Sequence, residues 1–286
     1  YGGDEAVMTI LGVMMIITLP LCVILTVTQV PEKDDFVNST TSVMQGLKLM
    51  WKNGPFKRLI AALMVGSTAF NITTPLYSFF VGYVLGAPEM TVVMLAFFYT
   101  FNMIGVPFWV RLSNRIGKHR AYAFSFITIG CAHPMYIFHE WGDFWWMIPV
   151  TIVSGFAGGA FAALPNSMKA DVIDLDTLMS GDNRTASFFA VWSFTAKMSA
   201  ALGGWISLNV LGLIGFVPQL GADNSSEHML GLRLLFTVPP AILFFLAAAI
   251  VWNYPITAER HASLRARLAR RNARRQQLEG AAQVLN

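Results

Sequence analysis

The sequence predicts an all-α polytopic membrane protein, a bundle of about seven transmembrane helices. Three observations predict it. Hydrophobic residues make up 55% of the 286 positions and charged residues only 13%, about half the roughly 25% of a soluble domain. Mean hydropathy is +0.54, and 22 Phe, 15 Met and 8 Trp load the chain with large apolar side chains. The charged residues also fall so that they leave long uncharged runs between them. A soluble, disordered or disulfide-rich secreted chain is excluded.

The runs are 6–31, 59–88, 90–110, 121–139, 144–168, 185–222 (broken only by Lys197) and 234–258. About 20 apolar residues cross the roughly 30 Å hydrocarbon core. Six runs meet that length, and 121–139 is at the limit. Allowing for loops, helices are expected near 6–28, 58–84, 90–112, 120–138, 144–171, 186–213 and 230–254. Pro20, Pro75, Pro107, Pro134 and Pro165 interrupt them, which a membrane bundle tolerates because neighbouring helices satisfy the freed carbonyls. Cys22 and Cys131 lie in apolar runs and read as buried thiols.

Lysine and arginine set the orientation. Lys33, Lys48, Lys52, Lys57 and Arg58, then Arg111, Arg115, Lys118 and Arg120, then Lys169 and Arg184 fall on one side, with the Arg-rich tail. The connections 85–89, 139–143 and 214–229 hold no Lys or Arg. The first side, with the C-terminus, is expected to be cytoplasmic, in a cell (inner) membrane. Trp141, Trp145 and Trp146 mark the outer boundary, and Trp109, Trp252 and Tyr254 the inner one. The tail from Glu259 to Asn286 carries +5 of the net +4, leaving −1 for the rest. The basic charge is thus a tail and not a surface suited to nucleic acid. Residue 1 falls outside without a Met or signal region, so the chain reads as the C-terminal portion of something larger.

Polar groups inside the runs mark candidate function. Lys197 lies twelve residues past Thr185, about 18 Å along a helix, too deep to snorkel. An ammonium there faces a cavity or a carboxylate partner. It reads as a substrate or ion pathway residue, or as a structural lysine paired with a carboxylate on a helix outside this chain. Ala186, Ala190, Ser193, Lys197, Ala200 and Gly204 share one face of small residues, suited to lining a cavity or to close packing. Gly155 and Gly159 form a GxxxG read as packing. Ser67, Asn71, Thr74 and Ser78 make a polar stripe on the second helix, and Asn102 lies deep in the third. Individually they read as interhelical hydrogen bonds, and together as a polar interior for a hydroxyl-rich solute. His133 reads as structural and His139 as interfacial. Asp171 and Asp174 share a face; an ionic latch to Arg111, Arg115, Lys118 and Arg120 is favoured over a metal site. Asn38, Asn71 and Asn183 match the glycosylation pattern on the wrong side of or within the membrane, whereas Asn224 is external. Residues 39–53 pattern as an in-plane amphipathic segment.

Gly46-Leu47, Asn53-Gly54-Pro55-Phe56, the run Arg111-Leu112-Ser113-Asn114-Arg115-Ile116-Gly117-Lys118-His119-Arg120 and Lys169-Ala170-Asp171-Val172-Ile173-Asp174 form a pattern. Phe188-Phe189-Ala190-Val191-Trp192-Ser193, Lys197, Ala201-Leu202-Gly203 and Ile214-Gly215-Phe216 extend it. This pattern resembles the glycoside–pentoside–hexuronide:cation symporters, the melibiose-permease-like branch of the major facilitator superfamily. The resemblance implies a twelve-helix transporter of which this chain supplies helices six to twelve. Residues 1–28 would be the last helix of the N-terminal half, 29–56 the central cytoplasmic loop, 57–256 a six-helix bundle and 257–286 a basic tail. It maps the family's helix-eleven lysine onto Lys197, with Ser193 one turn earlier beside Trp192, and its Asp-rich helix-ten exit onto Asp171 and Asp174. The aromatic of late helix ten corresponds to Phe161. The family's cation and main sugar-binding carboxylates lie in helices one, two and four, outside this chain.

The expected function is cation-coupled symport, with Na+ or H+, of a sugar or glycoside by alternating access; no resident cofactor is implied. A facilitator of lipids or other amphiphiles is the alternative. A membrane enzyme with a metal at Asp171 and Asp174 ranks third, because no second acidic or His cluster accompanies them. The expected partners are the small-molecule solute, the bilayer and the N-terminal helices of the same protein. Reconstituted into liposomes, these 286 residues alone should show no counterflow of any sugar, because alternating access needs two halves. Saturable counterflow would instead identify a complete seven-helix carrier.

Overall fold

The computed structural model describes residues 2–29, 51, 53–180 and 184–255. The amphipathic segment, the arginine tail, Lys33, Lys48, Lys52, Asn38 and Asn183 lie outside the described residues. Every regular element described is helical. The helices are α1 (Gly2–Gln29), α2 (Gly54–Phe79), α3 (Thr91–Ile116), α4 (Lys118–Ala132), α5 (Phe144–Ser180), α6 (Thr185–Leu213) and α7 (Ser226–Trp252). The π-helical turn Phe80–Val84 prolongs α2, and the 3-10 turn His133–Phe138 prolongs α4. Two units separate, residues 1–40 and 41–286, so α1 is described by itself. It is an apolar helix whose side chains from Ala6 to Gln29 are all exposed.

Local chemistry sets several helix ends. Asn53 Oδ1 accepts from the Phe56 amide at 3.1 Å, and Pro55 occupies the first turn of α2, where its missing N–H is not needed. Ser225 caps α7 through the His228 amide at 3.3 Å. Gly117, at φ +94°, turns the chain from α3 straight into α4, a conformation that favours glycine. Helix α5 runs to Ser180, well past the expected stop at 171. Its last turns carry Asp171, Asp174 and Asp176, and charge ends a membrane crossing without ending a helix.

Within the second unit α3 packs on α5, α2 on both α6 and α7, and α4 on both α5 and α7. Two apolar clusters fill the bundle. One gathers Phe56, Leu59, Tyr122, Phe126, Phe188 and Phe244; there Phe56 and Phe188 meet edge to face at 4.7 Å. The other gathers Leu76, Phe80, Tyr136, Met147, Phe216 and Phe236.

Glycines set how closely the helices approach. A Cβ at Gly159 would lie 2.5 Å from the Asn102 carbonyl oxygen, and one at Gly105 or Gly155 would overlap the carbonyl of Phe156 or Phe98. The α3–α5 seam is therefore backbone against backbone, and the GxxxG works as packing. Trp109 is buried in this seam and donates Nε1–H to the Phe156 carbonyl at 2.7 Å. Its ring packs between helices, whereas Trp141, Trp145 and Trp146 are exposed. On α6 the buried face is Thr195, Ser199, Gly203 and Ser207. A Cβ at Gly203 would lie 2.5 Å from Asn71 Cβ on α2, and Ser199 Oγ donates to the Met64 carbonyl at 3.2 Å.

Six of the helical segments are long and apolar enough to cross a membrane. The 29-residue α6 has the length, but Lys197 and its many Ser, Thr and Gly residues lower its hydropathy. Cys22 and Cys131 are free and exposed, contrary to the expected burial. An apolar neighbourhood in sequence marks the lipid-facing surface of a membrane bundle as well as its interior. Asn224 is buried and its amide clamps the 217–224 loop, donating to the Val217 and Gly221 carbonyls at 2.8 Å each. That amide is thereby committed to the fold and is no glycan acceptor.

Gly105→Val should destabilise the detergent-solubilised protein by about 2 kcal/mol or more, through overpacking against a carbonyl that cannot retreat. Gly204 has nothing within 4 Å of its added Cβ, so Gly204→Ala should stay within about 0.5 kcal/mol of wild type. Thermal unfolding of the two variants measures the contrast, and equal shifts would count against the seam.

Candidate functional site

The sequence led each residue of the α2 polar stripe to be expected in a hydrogen bond across helices; Asn71 and Thr74 bond instead to carbonyls one turn back in their own helix. Asn71 Nδ2 donates to the Ser67 carbonyl at 2.7 Å, and Thr74 Oγ1 to the Phe70 carbonyl at 3.0 Å. Thr74 and Ser78 are exposed on the bundle, Ser67 and Asn71 half-buried. Asn71 also stands against Gly203 of α6.

On α6, Ser193 and Lys197 are exposed and one turn apart, on the side opposite the buried Thr195, Ser199 and Gly203. Ala186, Ala190 and Ala200 are exposed on that same side. The small-residue face is thus open, and packing is done by the other face. Asn102 belongs elsewhere: it sits half-buried in the α3–α5 seam, where a Cβ at Gly158 would lie 2.7 Å from its Nδ2. The structure therefore brings Asn71 next to α6 and keeps Asn102 apart.

Charges gather at the end of the bundle where α3 meets α4 and α5 meets α6. Lys118 Nζ reaches both carboxylate oxygens of Asp171 at 2.7 Å. That is the pairing expected between the basic loop and the Asp-rich helix end, and it occupies the oxygens a metal would use. Asp174 is half-buried, while Arg111, Arg115 and Arg120 are exposed. Asp176 and Arg184, both buried, approach to 3.3 Å across the connection between α5 and α6. Arg58 Nη1 donates to the Asn253 carbonyl, tying the start of α2 to the end of α7. Just beyond α7, burial pushes the Tyr254 phenol up, and the negative charge of Asp171 adds to the shift. No group of three or more His, Cys, Asp or Glu residues that could hold a metal ion occurs among the described residues.

Sequence reasoning missed three features. Lys169, counted from the sequence as a topology charge and as the head of the Lys169–Asp174 run, is buried on α5. Its Nζ lies 3.8 Å from the Phe189 ring centroid and 4.7 Å from that of Trp192, both on α6, and 3.2 Å from Asn166 Oδ1. Two ring faces and an amide oxygen receive the ammonium. The signal was available in part, since Phe189 and Trp192 recur at helical spacing. Trp192 thus contacts Lys169, one residue from Ser193. Arg233 near the start of α7 stands 3.9 Å from Glu140, on the side that lacks Lys and Arg in its loops. His133, expected to be structural, is buried with Nδ1 at 3.2 Å from the Ile129 carbonyl, yet it also lines a cavity. His139, expected at an interface, is buried too.

That cavity, of about 220 Å³, lies where α2, α3, α4, α5 and α7 meet. Phe70, Tyr77, Phe98, Tyr136 and Phe236 supply ring surface, and the exposed Thr74, Ser78 and Tyr99 flank it. Phe161, the late-helix-ten aromatic, is packed instead against Tyr122 and Phe126, at 5.5 and 4.8 Å.

The family model described as "MFS/sugar transport protein" matches residues 1–258. The sodium-dependent lysophosphatidylcholine symporter 1 of Xenopus tropicalis is 29% identical over 90% of this chain and 49% of its own length. An uncharacterized symporter, YjmB, of Bacillus subtilis is 27% identical over 76% of this chain and 47% of its own length. The glucuronide carrier protein homolog of Escherichia coli is 25% identical over 81% of this chain and 50% of its own length. The chain spans about half the length of the curated relatives it matches. Its long apolar helices are those of a multi-pass membrane protein, and with the family model matching most of its length the chain belongs to the MFS/sugar transport family.

Proposed function

We propose that the chain forms the C-terminal half of a twelve-helix symporter that couples uptake of a sugar or glycoside to Na+ or H+, with its C-terminus cytoplasmic. The observation that carries this reading is the open face of α6, where Lys197 stands mid-helix among small residues and faces away from its own bundle. A charge so placed in a membrane calls for an aqueous cavity or a carboxylate from the other half. Midplane sites between two rocking repeats provide both. Lys197, Ser193 and Trp192 on α6 and Asn71 and Thr74 on α2 then form one wall of the solute and ion pathway, with Asn102 supporting it from the α3–α5 seam. The coupling cation is cargo, and its carboxylate ligands belong to the other half. The names of the glucuronide and sodium-dependent relatives are consistent with both parts of the proposal.

A second reading, carriage of an amphiphile such as a lysophospholipid, is favoured by the Xenopus relative that aligns with 90% of the chain. Uptake assays offering sugars and lysophosphatidylcholine under imposed Na+ and pH gradients separate the two.

In the full-length carrier, Lys197→Ala should abolish coupled uptake, with a loss of at least tenfold, about 1.4 kcal/mol, while membrane insertion persists. Uptake within about twofold of wild type would remove Lys197 from the mechanism.

The cytoplasmic gate is assigned to the basic connection Arg111, Arg115, Lys118 and Arg120 and to Asp171 and Asp174. Asp171→Lys sets like charges face to face at Lys118 and should favour the inward-open population. Labelling of Ser193→Cys from the cytoplasmic side should rise several-fold, and adding Lys118→Asp should reverse the rise. Unchanged labelling would reduce the pair to a structural clasp.

A further inference from the structure

We propose that the cavity between α2, α3, α4, α5 and α7 is an aglycone subsite that takes a single aromatic ring of the transported glycoside. The proposal rests on the glycoside reading and adds to it a substrate class and a place. Three observations carry it.

The first is size. At about 220 Å³ the cavity exceeds the roughly 150 Å³ of an engineered apolar cavity that binds benzene. It therefore admits one substituted ring.

The second is chemistry. The lining holds no Asp, Glu, Lys or Arg, and ring faces from Phe70, Tyr77, Phe98, Tyr136 and Phe236 surround the space. Aromatic surfaces of this kind receive a ring by offset or edge contacts. A charged group would enter at a large desolvation cost with no partner. A bare sugar would leave most of its hydroxyls facing carbon. The polar groups among the lining residues are uncharged hydroxyls and one imidazole, with Thr74 and Ser78 on the exposed side and His133, Tyr136 and Ser154 on the buried side. Tyr77 Oη is buried beside Thr151, and Tyr136 Oη meets Ser154 Oγ at 3.5 Å.

The third is position. Thr74 and Ser78 belong both to the cavity lining and to the exposed polar stripe of α2. A glycoside can therefore lay its sugar along the stripe while its ring enters between α2 and α3, past Leu95 and Tyr99. The two parts of one solute meet the two parts of one surface.

The test uses the full-length carrier in membrane vesicles and reads inhibition of labelled sugar uptake by matched pairs of inhibitors. The pairs are 4-nitrophenyl and methyl glycosides of glucose, galactose and glucuronic acid. For the sugar that is transported, the nitrophenyl glycoside should inhibit at a concentration at least tenfold below its methyl partner, about 1.4 kcal/mol. Leu95→Trp at the mouth and Ile129→Phe at the inner wall reduce the space from opposite sides. In either variant that retains uptake, the ratio should fall to near one. A wild-type ratio near one overturns the subsite, and so does a ratio that survives filling. A carrier that moves none of these sugars but takes up lysophosphatidylcholine overturns the glycoside reading itself, and the subsite with it.

Discussion

The bundle depends on the contact of α3 with α5, where Gly105, Gly155 and Gly159 bring backbone against backbone. In lipid there is little hydrophobic drive between helices, because acyl tails are as apolar as leucine. Close van der Waals contact must supply the association, and close contact requires that side chains be absent. The same device recurs at Gly203, which lets α6 come up against Asn71 of α2. With those two seams set, the aromatic side chains fall into two packed clusters, and a cavity remains where five helices meet. A bulky residue at any of these glycines would push apart the helices that carry the polar faces.

Charge is arranged by a different rule. Ion pairs among the described residues stand near helix ends, Lys118 with Asp171, Asp176 with Arg184 and Arg233 with Glu140. There water and loop dipoles soften the cost of desolvation. Two lysines break the pattern in opposite ways. Lys169 is buried but held by two rings and an amide oxygen, and so belongs to the packing of α5 on α6. Lys197 has no such cradle and stands exposed on α6. One lysine is absorbed by the fold and the other stands on its open face.

Much of this was legible in the sequence because the bilayer imposes a length. Uncharged runs of sufficient length located α1 to α5 and α7, and the sequence reading placed α6 despite the lysine that interrupts it. The pairing of Lys118 with Asp171 was legible as charge complementarity, and the GxxxG as a close approach. Other features were not. The extension of α5 to Ser180 was hidden because charge was taken as the end of a helix when it ends only the crossing. Cys22 and Cys131 were misassigned because lipid-facing and core residues have the same composition. The aromatic seat of Lys169 joins residues twenty positions apart on separate helices. The cavity draws on five helices, and no local pattern encodes it.

The back-bonding of the α2 stripe gives its surface a direction. Thr74 spends its one hydroxyl proton on the Phe70 carbonyl, and Asn71 spends an amide proton on the Ser67 carbonyl. The threonine then presents lone pairs to anything beside it, and the asparagine presents its carbonyl oxygen and its second N–H. Lys197 carries only donors. The wall formed by α2 and α6 therefore has a hydrogen-bonding polarity, accepting chiefly on one helix and donating on the other. In the proposed pathway, a solute lying across this wall would offer protons to α2 and lone pairs to α6, as a ring of hydroxyl groups does.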